Sequence, residues 1–376
     1  MAEPSLQLGN GNWAGKSGNL LAYHKANNNF YADELTFARA STGTIVNADG
    51  LIESVASGMP RVDYLNNSNG SLLLESQRTN KLTTSSDFSS YTKSGTIATT
   101  ANYGVSPSGQ TDSTRVVFSS SNNAFYKLSV HSGNTETNTI YIKGTSGETI
   151  KFGKGATVNG GDIFTLNGEW QRLNFVSTTG NQFTINTYST VTARDIEIWG
   201  AQVEEGSYST SYIPTSGTTV TRLADASSTT GLSSVIGQTE GTMYIDFTYK
   251  GLEDVNNMTS LSDGGVSNRV QLNISSSGIG ALIVSNGVTS FTSSNTSLVV
   301  GNRYKVAVKY KVNDFALWIN GTETSTDTLG DVPLNLNRFS FAFTNGTAFH
   351  FNQTVSASLL YKTALTDTEL ATLTTI

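Results

Sequence analysis

The stretch that decides the fold is "RVDYLNNSNGSLLLESQRTN" at residues 61–80. A strand-like run leads into an Asn/Ser/Gly turn, three consecutive leucines and a polar exit that contains Glu75, Arg78 and Asn80. An Asn/Gly turn between apolar runs predicts a β-hairpin. Because neighbouring side chains of a strand point to opposite faces, three consecutive leucines predict a strand that is buried on both faces.

The same design is repeated on either side of this stretch. Upstream, "FARASTGTIVNADGLIESV" at residues 37–55 places a turn at residues 47–50 between two β-branched runs and predicts a second hairpin. Downstream, short alternating runs at residues 86–205 and again beyond residue 226 have the spacing of β-sandwiches or jelly rolls. Only "TALTDTELATL" near the end is predicted to be helical, with Thr366 or Asp367 as N-cap and Glu369 in the first turn.

The composition agrees with an all-β chain of several domains. The 376 residues include 36 glycines and 5 prolines, and only 14% are charged. We predict a particle-attachment segment at residues 1–35, a β-hairpin layer at 36–85, a jelly roll with its linker at 86–225 and a second sandwich at 226–376. The first segment has too little apolar mass for its own core and is expected to dock on a partner chain or on the rest of this one.

Charge and hydropathy exclude several classes of function. A net charge of −6 without a Lys/Arg cluster gives no footprint for nucleic acid. No run approaches the roughly 18 apolar residues of a membrane span, and the start lacks the pattern of a signal peptide, so we expect synthesis in the cytoplasm and no membrane insertion. The absence of cysteine excludes disulfides and thiolate metal sites.

Several motifs resemble those of phage tail-fibre, head-fibre and related virion proteins. The resemblance spans residues 36–225 and rests on the two hairpins, "SSDFSSY", "EWQRLNFVST" and "IWGAQVEEGSYSTSYIPTSGTTVTRLAD". It implies a jelly roll like that of carbohydrate-binding modules at the centre. Residues 240–376, through "GNRYKVAVKYKVNDFALWINGTE" and "LYKTALTDTEL", resemble a concanavalin A-like sandwich of the laminin-G type. Together these resemblances imply a structural virion protein, often trimeric, that projects from the particle and is able to touch host-surface glycans.

The resemblance and the residue pattern suggest interface residues. A subunit interface of a homotrimer would cover the second face of the leucine strand, with charged residues pairing around its rim; the alternative is that these charges are simply solvated. The expected interface residues are Leu72, Leu73, Leu74, Arg39, Glu75 and Arg78. Aromatic anchors for particle attachment are Trp13, Tyr23 and Phe30.

Glycan contact needs an exposed aromatic ring edged by polar groups. The candidates are Tyr126, Tyr141 and Trp318, whereas Trp170 and Trp199 are expected in the core. Calcium candidates with oxygen ligands in predicted loops are Asp254, Asp263 and Asn320, and the alternative for them is a role as turn-forming residues.

No pattern of catalytic residues is present. His24, His131 and His350 are dispersed, and the adjacent acids Glu204 and Glu205 would point to opposite faces of a strand. We therefore predict a non-enzyme without cofactor: a fibre or appendage subunit, located on the virion, whose partners are other virion proteins and host-surface polysaccharide. The alternatives are a purely structural decoration or assembly protein and a polysaccharide depolymerase.

Overall fold

A computed structural model of the chain describes residues 1–24, 28–128, 130–155, 157–188, 191–252 and 256–376, without the side chains of residues 31–33. The described residues form two compact units. The first unit contains Met1–Thr42, Val55–Ser76 and Leu223–Ile376, and the second contains Gly43–Ser54 and Gln77–Arg222. Nearly all regular structure is antiparallel β-sheet, which confirms the predicted all-β class of sandwich and jelly-roll domains.

The first unit is built on two large sheets, with strands numbered along the chain. In the described residues, the eight-stranded sheet has the order β29 (Thr322–Asp327), β28 (Asp314–Ile319), β27 (Arg303–Lys311), β22 (Glu240–Thr248), β31 (Thr354–Tyr361), β8 (Ser71–Leu73) and β7 (Val62–Asp63), and β1 (Leu6–Gly9) also pairs with β31. The nine-stranded sheet has the order β2 (Gly15–Lys16), β3 (Asn19–His24), β4 (Asn29–Ala38), β21 (Ala226–Thr230), β30 (Arg338–Ser340), β23 (Asn257–Ser262), β24 (Arg269–Ser275), β25 (Gly278–Ser285) and β26 (Val288–Thr292).

Alternation along these strands determines which face is buried. On β22, Met243, Ile245 and Phe247 belong to the main hydrophobic core, while the residues between them face the other way. Full burial of such a side chain stabilises the fold by about 1.5–3 kcal/mol. The opposite face of the eight-stranded sheet is partly covered by the helix α1 (Asp367–Thr374).

The helix was predicted correctly. Thr366 is its N-cap and forms a capping box with Glu369: the backbone N–H of Glu369 donates to Thr366 Oγ1, and the backbone N–H of Thr366 donates to Glu369 Oε2. Leu370 packs on the eight-stranded sheet together with Leu365 and Tyr361. No helix in the described part of the chain is long and apolar enough to cross a membrane.

The second unit contains two five-stranded sheets among its described residues. One has the order β10 (Thr92–Ser94), β13 (Ala124–Leu128), β18 (Gln182–Asn186), β15 (Thr149–Gly155) and β16 (Asp162–Thr165). The other has the order β11 (Ile97–Thr100), β12 (Thr114–Phe118), β19 (Arg194–Glu205), β14 (Glu136–Gly144) and β17 (Gln171–Ser177). Two short pairs complete the strands: β5 (Gly43–Val46) with β6 (Ile52–Val55), and β9 (Arg78–Asn80) with β20 (Val220–Arg222).

The two predicted hairpins are confirmed. Gly50 lies in the turn between β5 and β6 with a φ of 80°, and its N–H donates to the carbonyl of Asn47. The turn between β7 and β8 ends at Gly70, where φ is 77° and a side chain would bring a Cβ within 2.7 Å of Val62 Cγ1. Glycine is required there because both the backbone conformation and the available space exclude other residues.

The division into domains differs from the predicted one in two places. Residues 1–35 do not stand apart: β1 and β3 supply Leu6, Leu8 and Leu20 to the main core of the first unit, so the segment docks on the rest of the chain. The predicted hairpin layer at 36–85 is shared between the two units. The predicted boundary near residue 225 lies close to the observed one at residues 222 and 223.

Candidate functional site

A polar cleft of about 120 Å³ lies on the outer face of the eight-stranded sheet in the first unit. Its floor is a row of residues that stand directly opposite each other on neighbouring strands: Arg303 pairs with Thr248, and Thr248 pairs with Thr354. Paired residues on adjacent strands place their side chains on the same face. Strand pairing therefore aligns a guanidinium and two hydroxyls.

The loop at residues 64–70 forms one wall of this cleft. The side-chain amide of Asn67 donates to the carbonyl of Gly70 and to Ser71 Oγ, each over 2.9 Å. Ser71 Oγ in turn lies 3.1 Å from Ser356 Oγ, and Trp13 Nε1 donates to the carbonyl of Gly70 over 3.0 Å. These bonds fix the wall in place, and they give Asn67 of the turn at residues 66–70 a structural role.

One hydroxyl of the floor lacks a hydrogen-bond partner among the described residues. The Oγ1 atom of Thr354 is buried and has no hydrogen-bond partner among the described residues. Leaving a buried hydroxyl unsatisfied costs free energy, and such groups in native proteins call for an explanation such as a water or a ligand. At the rim, Leu65 adds an aliphatic side chain that is 60% exposed.

Charged groups of both signs reach the cleft. Arg303 makes a side-on pair with Asp246, in which Nε lies 2.7 Å from Oδ1 and Nη2 contacts Oδ2. Its hydrogen bonds with Asp246 raise the pKa of Arg303 above its usual value. Lys250 also lines the cleft, and Asp63 Oδ1 accepts the backbone N–H of Leu65 within the loop. Hydroxyls, an amide, charged groups and one exposed aliphatic side chain suit a polyol ligand better than an apolar one.

A second cleft, of about 390 Å³, lies in the second unit. Asp87, Phe88, Asn102 and Asp112 are among the residues that line it. Bonds from the backbone and side chain of Ser89 lower the pKa of Asp87. Asp112 Oδ2 accepts from Trp199 Nε1 over 3.0 Å, so this carboxylate is used to hold a buried tryptophan.

The three predicted glycan-contact residues differ in how exposed their rings are. Trp318 is only 8% exposed and lies in the cluster beneath α1, so it offers no open ring and the prediction for it is not supported. Tyr141 is half-buried, with the guanidinium of Arg172 5.4 Å from its ring centre and Trp199 5.7 Å away. Tyr126 is half-buried on β13, opposite Thr184. Both tyrosines remain predictions.

The leucines expected at a subunit interface are buried within the single chain. Leu72 and Leu74 belong to the main core of the first unit, and Leu73 is only 5% exposed. Their burial therefore needs no second subunit. The physical reason is that β8 lies inside the sheet, between β31 and β7, and both of its faces are covered by the chain itself.

Two of the charges expected at the interface rim are also internal. Arg39 Nη1 donates to Asp225 Oδ1 over 3.0 Å, and Arg61 donates to Glu75 over 2.8 Å and also to Asp225. Burial alone lowers the pKa of Arg61, but Asp225 and Glu75 outweigh it and raise that pKa. We refer to Arg39, Arg61, Glu75 and Asp225 as the arginine network. Arg39, Glu75 and Asp225 each lie within three residues of a point where the chain leaves or re-enters the first unit, and Arg61 follows the re-entry at Val55.

Arg78 lies in the second unit, whereas the arginine network lies in the first. Its Nε is 3.6 Å from Glu204 Oε2, and its guanidinium lies 5.8 Å from the ring centre of Tyr208.

The three predicted attachment residues belong to the first unit. Trp13 is half-buried against the core, Tyr23 is 8% exposed, and Phe30 packs edge-on against Tyr23 at 5.5 Å. Particle attachment through them remains a prediction.

A cluster of charged residues in the second unit contains His131, which is far in sequence from the other two histidines. Glu136 accepts from Lys81 over 2.7 Å and from Lys154 over 2.6 Å, and it lies 2.6 Å from His131 Nδ1. Burial lowers the pKa of His131 to about 4, despite the nearby carboxylate. Burial alone would raise the pKa of Glu136, but the bonds from Lys154 and Lys81 lower it to about 2. We refer to Lys81, His131, Glu136, Lys154 and Glu205 as the histidine cluster.

Two of the three calcium candidates lie among the described residues, and both have local hydrogen-bonding roles. Asp254 lies outside the described residues. Asp263 accepts from the backbone of Gly265 and from the side chain of Asn268, and Asn320 has a φ of 50° and accepts from the N–H of Lys305. These two residues act as turn formers, which was the alternative interpretation. Within the described ranges, no group of three or more His, Cys, Asp or Glu side chains could hold a metal ion.

The residues of the polar cleft were not predicted from the sequence. The alternation of "GTMYIDFTYKG" and "NRYKVAVKYKV" does indicate that Thr248 and Arg303 point away from the core. Arg303 pairs with Thr248, and Thr248 pairs with Thr354, through strand pairing across more than 50 residues of chain. The local sequence pattern does not encode this pairing.

Comparisons with known proteins give limited likenesses. No family model matches the chain, and no curated protein matches it. Among solved structures, the chain is similar to the CBM40 of the Ruminococcus gnavus IT-sialidase bound to alpha2,3 sialyllactose, with 17% identity, 38% of this chain and 86% of that chain covered, and a TM-score of 0.34. It is also similar to domain 4 of AbnA, an extracellular arabinanase from Geobacillus stearothermophilus, in complex with arabinotriose, with 15% identity, 45% and 82% covered, and a TM-score of 0.33.

A third likeness is to sheep galectin-11 in complex with glycerol, with 8% identity, 35% of this chain and 91% of that chain covered, and a TM-score of 0.24. These neighbours are carbohydrate-binding modules and lectin-like β-sandwiches. At such identities and TM-scores their ligands say nothing about the ligand of this chain.

Proposed function

We propose that this chain is a carbohydrate-binding, non-enzymatic protein that serves as a fibre or appendage subunit of a phage or phage-like particle. The observation that carries the binding part is the polar cleft of the first unit. Its floor presents Thr248, Thr354 and Arg303 in register, and its loop wall is held by Asn67. The particle role is supported by the motif resemblance alone.

Hydroxyl and amide side chains on a rigid sheet suit sugar recognition for a physical reason. A sugar ring carries donors and acceptors around an apolar C–H face, and the cleft offers hydroxyls on its floor and Leu65 at its rim. A cleft of about 120 Å³ accommodates one sugar residue or part of one, so a single site would bind weakly. Repetition of the site in a symmetric oligomer, a homotrimer in our proposal, would raise the overall affinity by about 10²–10⁴-fold.

The binding part is tested with an array of bacterial surface polysaccharides. Thr248→Val keeps the shape of the side chain and removes a hydroxyl from the floor of the cleft, and it is expected to weaken binding about threefold to tenfold. Thr322→Val, at an exposed position of β29, is the matched control and should bind like the wild type. Absence of binding to every polysaccharide by a folded protein would overturn the proposal and leave the purely structural alternative.

The particle part is tested separately. Excess purified protein is added to host cells before the particle, and unadsorbed particles are counted. A receptor-binding fibre should block adsorption, whereas a decoration protein should leave adsorption unchanged. Release of new reducing ends from the polysaccharide during the same incubation would favour the depolymerase alternative and contradict a non-enzymatic role.

A further inference from the structure

We propose that the polar cleft selects acidic saccharides, with the ammonium of Lys250 and the guanidinium of Arg303 receiving a carboxylate or another anionic substituent of the sugar. This inference rests on the proposed carbohydrate-binding function and narrows it to one chemical class. Three features of the cleft carry it.

The first feature is the way Arg303 is held. Its Nε and Nη2 face Asp246, whose side chain is only 4% exposed, whereas the arginine side chain is 49% exposed. This side-on pairing leaves Nη1 without a hydrogen-bond partner among the described residues. A guanidinium has five N–H donors in a planar fork, so the buried carboxylate orients the fork and leaves donors free for an anionic ligand.

The second feature is the state of Lys250. Only its backbone takes part in a hydrogen bond, in which the N–H donates to Gln353 Oε1 over 2.7 Å. In the part of the chain that the structure describes, its ammonium makes no ion pair. A half-buried cation that has no carboxylate partner among the described residues, on the rim of a cleft that already holds a guanidinium, is a suitable receiver for an anion.

The third feature is the distribution of negative charge. Among the described residues that line the cleft, Asp63 is the one carboxylate beside these two cations, and its Oδ1 accepts the N–H of Leu65. Asp246 lies behind the guanidinium. The chain as a whole carries a net charge of −6, so it does not attract acidic polysaccharide in general. Binding of an anionic glycan would therefore depend on local contacts in this cleft.

Thr248 completes the site. It stands directly opposite Arg303, where its hydroxyl is placed for a sugar hydroxyl beside the anionic group, and Thr354 lies on its other side in the same row. A charge-assisted contact of this kind is expected to weaken as salt is added, because the cleft is open to solvent ions.

The test uses uronic-acid polysaccharides and their carboxyl-reduced derivatives, in which each uronate is converted to the neutral hexose with the linkage unchanged. The wild-type protein should bind the acidic form at least about tenfold more tightly than the reduced form. Lys250→Gln should lower that affinity about tenfold, and Lys250→Arg, which keeps the charge, should retain most of it. Lys362→Gln, an exposed lysine outside the cleft, is the matched control and should bind like the wild type.

The outcomes separate the two proposals. Equal binding of the acidic and reduced forms, or unchanged binding by Lys250→Gln, would overturn the acidic selectivity and leave carbohydrate binding standing. Failure of the folded wild-type protein to bind any acidic or neutral polysaccharide would overturn the proposed function itself. Unfolding midpoints of the variants close to that of the wild type would exclude misfolding as the cause of any loss.

Discussion

The arginine network of the first unit is built on two buried arginines, whereas the histidine cluster of the second unit is built on lysine and histidine. In the arginine network, Arg39 and Arg61 share Asp225, and the side chains of all three are fully buried. In the histidine cluster, Glu136 receives Lys81, Lys154 and His131. Arginine stays charged at any pH a protein meets, whereas histidine titrates near neutrality.

The buried charged groups of the two units therefore respond differently to mild acid. The arginine network joins segments that lie at the chain crossings of the first unit, and its cations are permanent. The histidine cluster joins β14 and β15 of the second unit to the loop that contains His131, and its charge state depends on pH.

The largest effect is expected from Asp225→Asn. It leaves Arg39 and Arg61 buried without their shared carboxylate, and breaking a buried ion pair in this way costs about 3–5 kcal/mol. Urea unfolding followed by hydrogen–deuterium exchange and mass spectrometry would show peptides of the first unit opening at lower urea. Asp331→Asn, an exposed aspartate of the same unit, should change stability by less than about 0.5 kcal/mol. Equal effects of the two substitutions would contradict the network's role.

The next effect is a loss of stability of the second unit in acid. The pKa of His131 is lowered to about 4 in the folded protein from 6.5, so the unfolded chain binds its proton first and stability falls between about pH 6.5 and 4. The pKa of Glu136 is lowered to about 2 from 4.5, so its contribution is present above pH 4.5 and is lost as the pH falls towards 2. Both groups therefore destabilise the fold in acid.

His131→Asn separates the contribution of the histidine to the pH dependence of stability from that of Glu136. With allowance for solvent screening, the histidine accounts for about 1–2 kcal/mol between pH 6.5 and 4, and the variant should lose that part of the pH dependence. Unfolding midpoints of the second unit at pH 7, 5.5 and 4 measure it. If wild type and variant lose stability in parallel over this range, the histidine is not the sensor.

A smaller effect of about 1 kcal/mol is expected from Thr366→Ala, because it removes the N-cap of α1 without touching a buried charge. Thermal unfolding of the first unit measures it, and the loss should be the same at pH 7 and pH 5. Thr368→Ala, an exposed position inside the same helix, is the control and should leave stability unchanged or slightly higher. A loss that appears only in acid would contradict the capping account.

The smallest effect is expected from the exposed pair of Arg115 and Asp195 in the second unit. Their side chains are 36% and 53% exposed, and pairs on the surface contribute little because water screens them. Arg115→Gln should leave the unfolding midpoint of the second unit unchanged within error. A clear loss would show that geometry, and not burial, decides which ion pairs stabilise this protein.

Local features of the fold could be predicted from the sequence. The turn at Asn47 and Gly50 and the capping box of Thr366 and Glu369 depend on residues within four positions of each other, and each was identified. The three consecutive leucines Leu72–Leu74, of which two lie in β8, were correctly expected to be buried. Their cover was assigned to another subunit because the sequence does not show that β8 lies between β31 and β7.

Long-range pairing could not be predicted, and the candidate site depends on it. β1 pairs with β31 across about 350 residues, as Leu6 opposite Leu360 shows, and no local pattern records such a partner. The row from Arg303 to Thr354 has the same origin. Trp318 was misjudged for a related reason: alternation indicates that it points away from Leu317, but not that α1 covers that face.

The central claim is that the polar cleft of the first unit binds carbohydrate, and hydrogen–deuterium exchange with and without a bound surface polysaccharide tests it most directly. The account predicts slower exchange in peptides that contain residues 63–71, 248–250, 303 and 354–356, with no change around Tyr126 and Tyr141 in the second unit. Protection confined to the second unit would contradict the claim and return the binding site to the jelly roll.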